Sequence, residues 1–194
     1  MTRTANLKRT TKETNVEVTL NLDGQRKIEI QTGLGFFDHM LTALAFHAGW
    51  DLQLTCKGDL HIDDHHTVED CALTLGAAIE ESLGDKQGIK RFATAHAPLD
   101  ESLARTVVDF SGRSTGVIEL GLERETIGQV ACENLTHFFQ SLATAGMFTL
   151  HVDVLRGTND HHRAEAAFKS LALAIREAAE VRESAGIPST KGAL

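Results

Sequence analysis

Apolar and polar positions alternate from Thr14 to Leu22, with Val16, Val18, Leu20 and Leu22 on one face, which predicts a β-strand. Asp23-Gly24 then reads as a hairpin signal, and Arg26 to Gln31 as the return strand with Ile28 and Ile30 inward. Thr32-Gly33-Leu34-Gly35 breaks the alternation. Phe37, Met40, Leu41, Leu44 and Ala48 follow helical spacing, and Gly49 ends that helix. Leu52, Leu54 and Cys56 mark a third strand from Asp51, closed by the turn Lys57-Gly58-Asp59. From Asp64, an expected N-cap, a second helix carries Val68, Ala72, Leu75, Ile79 and Leu83 on one stripe up to Gly84.

The pattern restarts after a stretch from Gly88 to Leu99 that reads as a linker. Strands are predicted over Ser102 to Phe110 and Gly116 to Leu122, a helix over Asn134 to Ala145, a strand over Phe148 to Leu155 and a long helix from Asp160 to about Arg182. The tail Ile187-Pro188-Ser189-Thr190-Lys191-Gly192 reads as a loop. Two halves, about 1–90 and about 91–194, thus share the order strand, strand, helix, strand, helix within one domain. The expected class is α+β and internally duplicated. Each half would be a two-layer unit with helices on one face of a mostly antiparallel sheet, because a sheet must bury its apolar side.

Composition narrows the partners. A formal net charge of −8 argues against nucleic acid, and no apolar run approaches the roughly 18–20 residues of a membrane span. The first residues lack the apolar stretch of a signal peptide, so a cytoplasmic protein is expected. Cys56, Cys71 and Cys132 are odd in number and form no CxxC pair, so they read as reduced, buried thiols.

The chemistry lies in a repeated phrase. Asp64-His65-His66-Thr67-Val68-Glu69 returns as Asp160-His161-His162-Arg163-Ala164-Glu165, and each copy has a lone histidine upstream, His39 or His137. Within a copy the first His and the Glu are four apart and share a helix face, while the second His is turned by about 100°. This spacing suggests two metal sites. One would hold His39, His65 and Glu69 and be completed by His162; the other would hold His137, His161 and Glu165 and be completed by His66. The completing histidines would come from the other half or from a neighbouring chain. Imidazole and carboxylate without thiolate suit Mn, Fe or similar ions, with Zn possible. One such phrase alone would more often be a helix-capping or surface feature; its duplication in register is what carries the metal reading. His61, His96 and His151 lie outside the pattern and carry no assigned chemistry.

The chain also resembles the imidazoleglycerol-phosphate dehydratases, over nearly its whole length. The resemblance is carried by Arg9-Thr10-Thr11-Lys12-Glu13-Thr14, Gly35-Phe36-Phe37-Asp38-His39-Met40-Leu41, Asp63 to Asp70, Pro98-Leu99-Asp100-Glu101, Asp109-Phe110-Ser111-Gly112-Arg113, His137-Phe138-Phe139, Asn159 to Glu165 and Pro188-Ser189-Thr190-Lys191-Gly192. The tail departs mildly, with Thr190 where a second serine is usual, and so does His47-Ala48-Gly49-Trp50. The resemblance implies a duplicated fold like the second domain of ribosomal protein S5. It implies two Mn²⁺ per chain and self-association of trimers into a 24-subunit shell. It also implies dehydration of imidazole glycerol phosphate to imidazole acetol phosphate in histidine biosynthesis.

The proton lost in that reaction has no neighbouring carbonyl, so the imidazole ring must serve as electron sink; two metals on its nitrogens would stabilise an imidazolate. By resemblance Glu13 is the candidate for proton transfer and His47 stands near the glycerol hydroxyls. Arg91, Arg113, Lys169, Ser189, Thr190 and Lys191 are the candidates for the phosphate. Two other functions fit less well. A di-metal phosphatase would show carboxylate-rich sets. A metal-storing or metal-assembled shell would need no catalytic residues. There is no Walker A pattern, and Gly33-Leu34-Gly35 lacks the third glycine of a dinucleotide loop.

Overall fold

The computed structural model describes residues 3–182, 186 and 188–192. The amino-terminal half holds β1 (Thr4–Thr10), β2 (Thr14–Asn21), β3 (Ile28–Gln31), α1 (Gly35–Ala48), β4 (Asp51–Gly58) and α2 (His65–Leu83). The carboxy-terminal half holds β5 (Phe92–Leu99), β6 (Ser102–Asp109), β7 (Thr115–Glu119), the short pair β8 (Thr126–Ile127) and β9 (Val130–Ala131), α3 (Cys132–Ala145), β10 (Thr149–Arg156) and α4 (Asp160–Ala178). The two main sheets have the same topology, β1-β2-β4-β3 and β5-β6-β10-β7. In each, the first three strands of the order are antiparallel and the last pair is parallel. No helix among the described residues is long and apolar enough to cross a membrane.

Three expectations are corrected. Each half begins with an extra strand, β1 or β5, so residues 92–99 are an edge strand and not a linker. Residues 22–27 do not form a hairpin either. β3 crosses to the far side of β4 and pairs with it in parallel. Gly24 is needed for a different reason: a Cβ there would lie 2.0 Å from the backbone nitrogen of Asp51. The Asp51 carboxylate accepts hydrogen bonds from the Gln25 and Lys27 amides at 2.7 and 2.8 Å, which fastens this loop against β4. Finally, Asp64 makes no side-chain cap on α2. Its carboxylate reaches across to the Ala131 amide at 2.8 Å, and Asp63 caps His65 instead. Asn159 plays that role on α4 by accepting from His161 N. Ile187 of the expected tail loop lies outside the described residues.

The core explains how the halves meet. α2 lies on β1, β2 and β4, and α4 lies on β5, β6 and β10. The helices then pack on those of the opposite half, α1 on α4 and α2 on α3. Phe138 and Phe168 stack at 5.0 Å, and Phe37 meets Phe138 edge-on at 5.5 Å, so aromatic side chains from both halves fill this seam. All three are fully buried. Fixing the helices in this way fixes every side chain that projects from their amino-terminal ends.

Candidate metal centres

The two helix seams assemble two triads. His39 from α1 joins His161 and Glu165 from α4, and His137 from α3 joins His65 and Glu69 from α2. This corrects the pairing expected from the repeat. The upstream histidine serves the opposite copy, because α1 leans on α4 and α3 on α2; a constant spacing along the chain is equally compatible with both arrangements. The i, i+4 pairing of His with Glu is as expected.

In the first triad the Nε2 atoms of His39 and His161 each lie 3.2 Å from Glu165 Oε2. In the second, His137 Nε2 lies 3.0 Å from Glu69 Oε1. The donor atoms of each set lie within 4.8 Å of one another. An ion about 2.0–2.2 Å from each donor requires donors no more than roughly 4.4 Å apart, so small side-chain adjustments suffice. Two imidazoles and a carboxylate fit a divalent ion of the first transition row, with positions left for other ligands.

Neighbouring groups orient the rings. His65 Nδ1 donates to Asn134 Oδ1 at 2.9 Å, which leaves Nε2 free to bind an ion. The edge of the Phe36 ring packs on His161, with centroids 5.1 Å apart. Burial pushes the Glu165 carboxyl up, but the hydrogen bond and charge of Lys169, with His39, outweigh it and hold the group below its usual range.

His66 and His162 belong to neither triad among the described residues. Each is held by a carboxylate at Nδ1, His66 by Asp59 at 3.0 Å and His162 by Glu101 at 2.7 Å, so both present Nε2 outward. Asp59 raises the pKa of His66, chiefly through that hydrogen bond. The His162 contact, with the Asn159 and Thr158 amides, holds Glu101 far below the ordinary carboxylate value. Asn134, Asp59 and Glu101 were not singled out from sequence. None sits at a repeat spacing, and Glu101 was visible only inside a resemblance motif.

The remaining candidates divide. Glu13, on the β1–β2 turn, approaches His66 Nε2 at 4.0 Å and, among the described residues, belongs to neither triad. His47 lies at the carboxy-terminal end of α1; burial, then the Lys169 charge, lower its pKa. Lys169 Nζ stands 2.5 Å from Glu165 Oε1 and is the one candidate phosphate cation that touches a triad among the described residues. Arg91 pairs with Asp109 at 2.7 Å and donates to the Pro188 carbonyl at 2.9 Å, which ties the tail to β5. Arg113 donates to the Ser111 carbonyl at 3.3 Å. Ser189, half-buried, and Thr190 and Lys191, exposed, form a turn closed by Gly192 N donating to Ser189 O at 3.0 Å.

The sequence model of one family, imidazoleglycerol-phosphate dehydratase, matches residues 32–175, which include all six triad residues. The chain belongs to this family. A dehydratase of the family from Candida glabrata is 55% identical over 97% of this chain and 98% of its own length. One from Phytophthora nicotianae is 58% identical over 99% of this chain, which spans only 42% of that longer protein. Among solved structures, a family dehydratase from Pyrococcus furiosus in complex with (S)-C348 superposes with a TM-score of 0.84 at 37% identity, covering 97% of this chain and 100% of that one. The Staphylococcus aureus family structure gives a TM-score of 0.82 at 35% identity, over 92% and 99%.

Proposed function

We propose that this chain, a dehydratase by family, is the hydro-lyase that removes water from imidazole glycerol phosphate in histidine biosynthesis, and that it does so with two divalent ions, Mn²⁺ by expectation, held by the two triads. The observation that carries the metal reading is the pair of matched His, His, Glu sets on opposite helix seams. When bound, the ions supply Lewis acidity that makes the substrate's imidazole ring an electron sink. The chain's own residues do the rest. The triads position the ring. His47, whose pKa burial and the Lys169 charge lower, is the candidate to accept a hydrogen bond from a glycerol hydroxyl. Glu13 is the candidate to move the proton. Lys169, with Arg91, Arg113 and the Ser189-Thr190-Lys191 turn, would neutralise the phosphate.

The reading extends to assembly. Nε2 of His66 and of His162 faces away from its own Nδ1 anchor, and Glu13 accompanies His66. These groups would complete triads on neighbouring chains, so the active site would form only on self-association, expected as trimers in a 24-subunit shell. Val107, His151 and Val117 stand in register across β6, β10 and β7, and both valines are exposed on either side of the histidine, a surface suited to such contact.

Titrating metal-stripped protein with Mn²⁺, while following particle mass and dehydration together, tests the proposal. Both are expected to appear near two ions per chain. Large particles without product would favour a metal-assembled shell and overturn the catalytic role of the ions.

A further inference from the structure

The two triads match in their ligands and differ one helical turn further on. Four residues past Glu165 on α4 stands Lys169, whose ammonium lies 2.5 Å from Glu165 Oε1. Four residues past Glu69 on α2 stands Leu73. Glu69 pairs with His137 and with no lysine or arginine among the described residues. Glu165 is also the more enclosed carboxylate, 13% exposed against 35% for Glu69.

We infer that the two metal sites are unequal, with the His65–Glu69–His137 triad taking up a divalent cation first and Lys169 weakening the His39–His161–Glu165 triad. Two physical terms point the same way. An ion at the His39–His161–Glu165 triad places a double positive charge a few ångströms from an ammonium, where solvent screens poorly. Lys169 also engages Oε1, so Glu165 has only Oε2 to offer, the oxygen that already faces His39 and His161. Glu69 meets its histidine through Oε1, and among the described residues no lysine or arginine engages either of its oxygens. A single ammonium at this range is worth about tenfold or more in cation affinity. Duplication would thus have yielded one holding site and one adjustable site, the adjustable one beside the lysine that is also a candidate for the substrate's phosphate.

The inference rests on the triads being metal sites, and its test separates the two claims. Metal-stripped protein is titrated with Mn²⁺ alone, and free Mn²⁺ is read by electron paramagnetic resonance. Wild type should show two phases about tenfold or more apart, with H39A removing the weaker and H137A the tighter. The phase that survives in each variant reports that the fold is intact. K169Q should bring the weaker phase to within about threefold of the tighter, K169R should keep the gap, and L73K should weaken the tighter phase. Equal phases in wild type, a gap unmoved by K169Q, or loss of the weaker phase in H137A would overturn the inference while leaving the metal sites standing. Absence of any Mn²⁺ binding would overturn both.

Discussion

The two halves lay the same topology and the same ligand set on unlike supports. Exposed positions of the first sheet, such as Glu17, Thr19, Gln53 and Thr55, are polar, and β1 to β4 expose no large hydrophobic side chain. The second sheet exposes Phe92, Val107 and Val117. β1 turns into β2 through residues 11–13, whereas β5 turns into β6 through Asp100 and Glu101, with Asp100 at φ +46°. His66 is anchored by an aspartate that follows β4, and His162 by a glutamate on the β5–β6 turn. What has stayed alike is what fixes six donor atoms on four packed helices. What has diverged is everything that can hold a ring from more than one direction. A site built on rigid elements tolerates this, because helix packing sets ligand position and the supports only trim orientation.

The largest effects should come from breaking the cross-half pairing itself. His39→Ala is expected to cost one of two ions per chain. It should lower turnover by more than the roughly 10–100-fold typical of groups that only orient a ligand. The informative step is the second substitution. H39A combined with E165A should lose no further ion, because both act on one triad, whereas H39A with E69A should lose both. Metal content by mass spectrometry after gel filtration reads the difference. The reverse pattern would restore the pairing within each copy.

That pairing also marks where sequence ran out. The i, i+4 spacing of His65 with Glu69 and His161 with Glu165 is a local property of a helix, and it was legible. The third ligand depends on which helix lies opposite, which no spacing encodes. The strands divide in the same way. β2, β4 and β6 are buried along one face and alternate along their length, and β10 does so over its first half. β1 buries only Ala5, and β5 turns its largest side chain, Phe92, outward over small inward residues, Ala93 and Ala97. Edge strands of this kind carry almost no period-two signal, and so both were missed. Asp23-Gly24 misled for another reason: the glycine answers to the close approach of β4, a contact remote in sequence.

The two seams can be compared by a smaller perturbation. α2 passes so close to the end of α3 that a Cβ on Gly76 would lie 2.5 Å from the Leu142 carbonyl oxygen and 2.9 Å from Gly146 N. The matching position on α4 is Ala172, fully buried. Gly76→Ala gains about 1 kcal/mol of helix propensity but meets backbone that cannot swing aside, an overpacking cost of about 1–3 kcal/mol. The net change should be destabilising, and it should disturb the His65–Glu69–His137 triad more than the other, since that triad spans this seam. Ala172→Gly should cost about 1 kcal/mol through propensity and disturb neither triad. Urea unfolding with Mn²⁺ stoichiometry checks both. A stabilised G76A variant would mean that the α2–α3 seam has slack.

The smallest expected effect concerns a fastening found in the first half alone, the Asp51 clamp on residues 22–27. Backbone hydrogen bonds from Lys27 and Gln25 hold the Asp51 carboxyl below its ordinary value and outweigh the opposing push from burial. A carboxyl whose folded pKa is lowered binds fewer protons in the folded state than in the unfolded one. Its contribution is therefore complete above the unfolded value of about 3.9 and is lost as pH falls through the lower folded value. Asp51→Asn removes this dependence but keeps an acceptor oxygen for one or both amides. The difference in melting temperature between wild type and D51N should be constant and small from pH 7 down to about pH 5, then shrink below about pH 4. In the second half the β6–β7 connection is tied differently, by the Arg91–Asp109 ion pair and the Ser111 hydroxyl accepting from Arg113 N at 3.3 Å. Hydrogen exchange at Gln25 and Lys27 should accelerate in D51N, while the amides of residues 111–115 should stay unchanged. A uniform change across both connections would show that the halves communicate through the sheets and not, as the packing of α1 on α4 and α2 on α3 argues, through the helix layer between them.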